Sequence, residues 1–107
     1  MRNIEYSNVQ KISQMISYQD GTIVSKTLIN KTNGTVTLFA FDKDQTLSEH
    51  TAPFDALLYV IEGEAEVKIS GKYTNLKTNE MILMPANVAH AVKAIKEFKM
   101  LLIMIKS

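Results

Sequence analysis

Residues 44–63, DQTLSEHTAPFDALLYVIEG, run from an extended segment ending at His50 through a turn at Pro53 into the apolar run 56–61, and finish at Glu62-Gly63. A second stretch, residues 79–94, NEMILMPANVAHAVKA, carries the only other histidine, His90, in a similar setting. Strand parity decides what the two imidazoles face, because successive side chains alternate between the two sides of a strand. Along an extended 88–92, His90 shares its side with Val88 and Val92, which is the apolar one. Along an extended 46–50, His50 shares its side with Thr46 and Ser48, and Leu47 and Glu49 take the other. Both imidazoles are expected to enter one interior, where each must find a partner or cost about 1–3 kcal/mol of unmet hydrogen bonding.

Outward from these stretches the chain reads as short β-branched runs broken by turns. Residues 22–30 and 35–41 flank Lys31-Thr32-Asn33-Gly34, a hairpin signal. In 64–70, Ala65, Val67 and Ile69 alternate with Glu64, Glu66, Lys68 and Ser70, the pattern of a half-buried antiparallel strand. Ser70-Gly71-Lys72 turns the chain into 73–76, and strands 81–84, 88–92 and 98–105 follow. About eight strands at this spacing predict an all-β barrel or sandwich over residues 21–107. Residues 4–6 are expected to form a short strand. Ser7 and Gln10 fit a capping box, and Val9, Ile12 and Ile16 recur at helical spacing, so a short N-terminal helix is expected to end near Tyr18.

Composition narrows the chemistry. The chain has 107 residues, 46% of them hydrophobic, and is expected to form one domain, 1–107. A net charge of +1 gives no field for nucleic acid or a membrane surface, and the absence of cysteine removes disulfides, thiolate metal sites and cysteine nucleophiles. No signal-like segment or membrane span is read, so the expected location is cytoplasmic.

The two stretches resemble the paired motifs of the cupin family of small β-barrels, and the resemblance covers nearly everything from about Gly21 onward. In the first motif Asp44 stands at the leading glycine, His50 at the first histidine, Ala52 at the second, Ala56 at the glutamate and Gly63 at the closing glycine. In the second, Asn79 stands at the leading glycine, Pro85 matches, Asn87 replaces the next glycine, His90 matches and Ala94 replaces the final asparagine. The resemblance implies a double-stranded β-helix, or jelly roll, and a homodimer that often packs sheet on sheet. It also implies a metal held by three histidines and a glutamate; here two of those four positions are alanine.

If Ala52 and Ala56 mark the inner side, Leu58 and Val60 join them, Met84, Phe98, Met100, Leu102 and Met104 also line the interior, and Tyr59 and Lys99 lie outside. The expected function is a barrel that binds a small organic ligand between His50 and His90, lined by these alanines, leucines, methionines and Val60. The alternative is a metal-dependent enzyme of the dioxygenase, isomerase or decarboxylase kind, with Zn, Fe, Mn or Ni held by His50, His90 and a substitute such as Asp55. Metal-free acid/base chemistry on the histidines is a variant of it. The competing structural reading is a closed core in which methionines and leucines fill the barrel and both histidines are bonded to carbonyls or hydroxyls. Glu62, Glu64, Glu66, Lys68, Lys93, Lys96 and Lys99 are expected on solvated faces.

Overall fold

A computed structural model describes residues 6–107, and nearly all of them lie in strands or the turns between them. The strands are β1 (Ile23–Lys31), β2 (Gly34–Phe41), β3 (Thr46–His50), β4 (Asp55–Glu62), β5 (Glu64–Ile69), β6 (Lys72–Lys77), β7 (Met81–Met84), β8 (His90–Ala94) and β9 (Phe98–Ile105). They form a five-stranded sheet in the order β1-β2-β9-β4-β7 and a four-stranded sheet in the order β3-β8-β5-β6. Every pairing is antiparallel. This is the all-β architecture that the strand spacing predicts, in the two-sheet jelly-roll form that the resemblance implies.

The inner sides of the two sheets meet in one apolar layer. Phe41, Leu58, Val60, Val67, Phe98 and Met100 are buried there, and the Phe41 and Phe98 rings stack with centroids 4.6 Å apart. Burying side chains of this size contributes roughly 1.5–3 kcal/mol each. Strand β4 alternates as its sequence requires, with Ala56, Leu58 and Val60 buried and Leu57 and Tyr59 only partly so.

The turns depend on left-handed backbone. Asp44, Asn79 and Asn87 have φ of 69°, 69° and 65°. Aspartate and asparagine enter this region at lower cost than other residues with a Cβ, because their short side chains bond local backbone. The three therefore supply the conformation for which the resembled motifs use glycine. In the β1–β2 hairpin, by contrast, Gly34 pairs with Lys31, and no residue of the Thr32-Asn33 turn has a positive φ. Gly34 serves a close approach instead: a Cβ there would lie 3.1 Å from the Met104 carbonyl oxygen.

The N-terminal segment departs from its expected helix and keeps a single 3-10 turn, Ile12–Gln14. Ser7 has a φ of 70°, so it cannot serve as the extended N-cap of a capping box, and Val9 is fully exposed. Val9, Ile12 and Ile16 share helical spacing but not a common buried face; only Ile16 is buried. Of the strand expected at 4–6, Tyr6 lies in a turn and the other two residues lie outside those described.

The segment lies across the outer side of the five-stranded sheet. Met15, Ile16 and Tyr18 pack there on Leu38, Ala40, Ile61 and Leu101. Lys99, expected on a solvated face, is on the predicted outer side of β9 but only 8% exposed, because this segment covers it. Its ammonium donates to the Ser13 carbonyl at 2.5 Å, stands 3.7 Å from a Glu62 carboxylate oxygen and lies over the Tyr18 ring. No helix among the described residues is long and apolar enough to cross a membrane.

Candidate functional site

His50 ends β3 and His90 begins β8, and the two pair directly across the strands. A bulge makes this geometry. Leu47 pairs with Val92 and His50 with His90, so three steps along β3 match two along β8. The extra residue breaks strict alternation and brings Leu47 and His50 to the same inner side, where regular parity had separated them. Glu49 turns outward to an ion pair with Lys68 at 3.1 Å.

The rings meet edge to face, centroids 4.4 Å apart. Nδ1 of His50 lies 2.7 Å from the Ser48 carbonyl oxygen and Nδ1 of His90 lies 3.2 Å from that of Val88. A carbonyl can only accept, so each Nδ1 carries the hydrogen and each neutral ring keeps its lone pair on Nε2. The same backbone bonds fix the orientation of the rings. His90 is half-buried; His50, expected inside, stands exposed at the rim because it closes its strand.

Burial holds the His90 imidazole below its ordinary value of 6.5, the neighbouring His50 ring pushes the same way, and the bond to Val88 opposes both. Folding thus lowers the proton affinity of His90, and protons favour the unfolded chain. Its neutral form contributes fully above pH 6.5, and that contribution is lost as pH falls through the lower folded value. Urea midpoints measured from about pH 7.5 to about pH 5 should fall with pH, and His90→Gln should flatten part of that slope. An equal slope in the variant would assign the effect to other groups.

Both rings border a cavity of about 40 Å³ whose remaining walls are Leu47, Ala52, Phe54, Ala56, Leu58, Met84, Val92, Met100, Leu102 and Met104. Of the residues expected to face the interior, Val60 and Phe98 do not border this cavity: both are fully buried in the closed core. Leu47, Phe54 and Val92 were not among the expected site residues. Val92 was readable, since it shares a side with His90; Leu47 was hidden by the bulge, and Phe54 sits in a turn where parity gives no guidance.

Asp55 does not face the rings. Its carboxylate accepts the Ala86 N–H at 2.9 Å, which fastens the β7–β8 turn to the start of β4. Glu49 is committed to Lys68, and the remaining family ligand positions are Ala52 and Ala56. Among the described residues no three His, Cys, Asp or Glu side chains gather as a metal site. Two imidazoles are fewer donors than the three protein ligands of usual catalytic zinc or non-haem iron centres, so the residues present do not fit the family's metal.

A two-sheet antiparallel jelly roll defines the class of small barrel whose fold this chain shares with solved structures. The sequence profile of the cupin domain matches residues 37–106, and the chain belongs to the cupin family. Its structure is similar to that of a conserved protein of unknown function from Streptococcus pyogenes, 31% identical over 99% of this chain and 93% of that one, with a TM-score of 0.94. It is also similar to a cupin 2 conserved barrel domain protein from Leptotrichia buccalis, 42% identical over 88% of this chain with a TM-score of 0.86, of which it spans 46%. A cupin superfamily protein from Desulfitobacterium hafniense shares the fold, with a TM-score of 0.92 and 23% identity over 99% of this chain and 97% of that one. A search of curated proteins finds no match.

Proposed function

We propose that the chain binds a small organic ligand in the barrel, its polar end at His50 and His90 and its apolar end against the methionines. The observation that carries this reading is a pair of imidazoles 4.4 Å apart at the rim of a cavity whose other walls are apolar. Ligand sites commonly combine such walls with a few convergent polar groups. Both Nε2 atoms are acceptors, so the matching ligand end is a donor: a phenol, an alcohol or an N–H. One water needs about 10–15 Å³ of such space. A cavity of about 40 Å³ therefore takes only a few atoms, with the rest of a larger ligand passing out beside His50 or the methionine walls shifting.

Methionine methyl groups report on this directly. Of the chain's six methionines, Met84, Met100 and Met104 line the cavity. Titrating ¹³C-methyl-labelled protein with a panel of small phenols, alcohols and amides should move those three signals while leaving Met15 and Met81 in place. His50→Ala and His90→Ala should each weaken the bound member at least roughly tenfold, the loss of a hydrogen bond worth about 1–2 kcal/mol. Shifts only at Met15 or Met81, or none across the panel, would count against the reading.

A second copy of the chain is the partner we propose. The support is a groove of about 660 Å³ on the outer side of the five-stranded sheet, walled by Leu57, Leu83, Ile103 and Ile105. Leu83 is 66% and Ile105 60% exposed there, as a sheet-on-sheet contact would need. Light scattering should give twice the chain mass, and Leu83→Asp should return it to one. A monomeric wild type at about 100 μM, far above the Kd of a stable dimer, would discard the idea.

A further inference from the structure

The carboxylate position of the family's metal site has been replaced by more than an alanine. Ala56 on β4 pairs with Met84 on β7 and with Met104 on β9. Directly paired residues on antiparallel strands put their Cβ atoms about 4.5–5.5 Å apart on one side of the sheet. Two thioethers thus flank the smallest chiral side chain, on the wall that faces His50 and His90, and all five side chains border the same cavity.

We infer that this pocket is a site for a soft monovalent cation, copper(I) or its analogue silver(I), held by His50, His90, Met84 and Met104. Thioether sulfur selects copper(I) among the biological first-row ions, and imidazole nitrogen serves it well. Both rings present Nε2 lone pairs, because their Nδ1 hydrogens are spent on the Ser48 and Val88 carbonyls. No carboxylate lines the cavity, which disfavours a divalent ion: the cost of bringing an ion out of water grows as its charge squared, so a monovalent ion pays about one quarter as much. The donor set that fails the family's metal therefore suits a different one.

This inference does not rest on the organic-ligand reading, although the two compete for the same Nε2 atoms. The purified chain is titrated with silver(I), and with copper(I) kept reduced by ascorbate, against the chelator bicinchoninate. One equivalent should bind, and the Met84 and Met104 methyl signals should shift with silver while Met81 and Met15 stay. Met84→Leu and Met104→Leu nearly conserve volume, so both should fold. Each should weaken silver binding roughly tenfold or more, as should His50→Ala and His90→Ala, whereas Met81→Leu should change nothing. Zinc(II) should not be retained by the wild type. Absence of stoichiometric silver binding, affinity unchanged in both leucine variants, or zinc held as tightly as silver would overturn the inference. The phenol, alcohol and amide titration, run without metal, succeeds or fails independently of these outcomes.

Discussion

Replacing Gly63 by alanine is expected to remove about 2–6 kcal/mol of stability, a large share of the about 5–15 kcal/mol that holds an ordinary domain folded. Two costs add. Gly63 has a φ of 92°, where a residue with a Cβ is strained by about 1–3 kcal/mol. The new Cβ would also collide with the Glu97 carbonyl oxygen and lie 2.6 Å from Cβ and 2.7 Å from Cα of Phe98. Those atoms belong to the chain entering β9, so relief means moving backbone, and overpacking of this kind costs about 1–3 kcal/mol more. Gly71 is the control: its φ is 82°, but a Cβ there meets nothing within 4 Å. Gly71→Ala should therefore show the conformational cost alone. Urea midpoints for both variants decide it, and equal losses would mean that the contact with β9 contributes nothing.

The same residue shows why the fold was legible. Residues 44 to 63 hold a fixed spacing between two left-handed turns, and Asp44, Asn79, Asn87 and Gly63 all take positive φ. Three of these four are not glycine, yet each is a residue type that tolerates the conformation. Alternation then placed Ala56, Leu58 and Val60 on the buried side of β4 and Lys99 on the opposite side of β9. What alternation could not supply was the covering of that outer side. Lys99 is buried by an irregular segment that meets it through the Ser13 carbonyl and the Tyr18 ring. A backbone carbonyl leaves no trace in residue type, and the helical spacing of Val9, Ile12 and Ile16 pointed to a face that does not exist.

The site was legible where strands are regular and hidden where they are not. His90, Ala56, Leu58, Met84, Met100 and Leu102 border the cavity as parity placed them. His50 arrives there through a bulge that also brings Leu47 inward, and one extra residue inverts every parity assignment beyond it. The flanking of Ala56 by Met84 and Met104 depends on register between strands distant in sequence, which the residues of any one strand do not specify.

Restoring the family's ligands offers the sharpest test of what the two alanines do. Ala56 is 6% exposed, so Ala56→Glu alone places a carboxylate among apolar walls and should cost several kcal/mol or hold the group protonated. Adding Ala52→His supplies a third imidazole from the same cavity wall. The double variant should therefore be less stable than wild type in a chelator, yet gain stability with zinc(II), by about 2.7 kcal/mol at a hundredfold excess over its Kd. Met84 and Met104 have the rotamer freedom to make room for the longer side chain. Wild type, with two imidazoles, should show no comparable zinc-dependent shift in Tm. If wild type shifted as far as the double variant, the alanines would not be what separates this barrel from the metal site that the resembled motifs imply. If the folded double variant ignored zinc, positions 52 and 56 would not converge with His50 and His90, because four correctly placed donors around an open cavity bind zinc whatever else the barrel does.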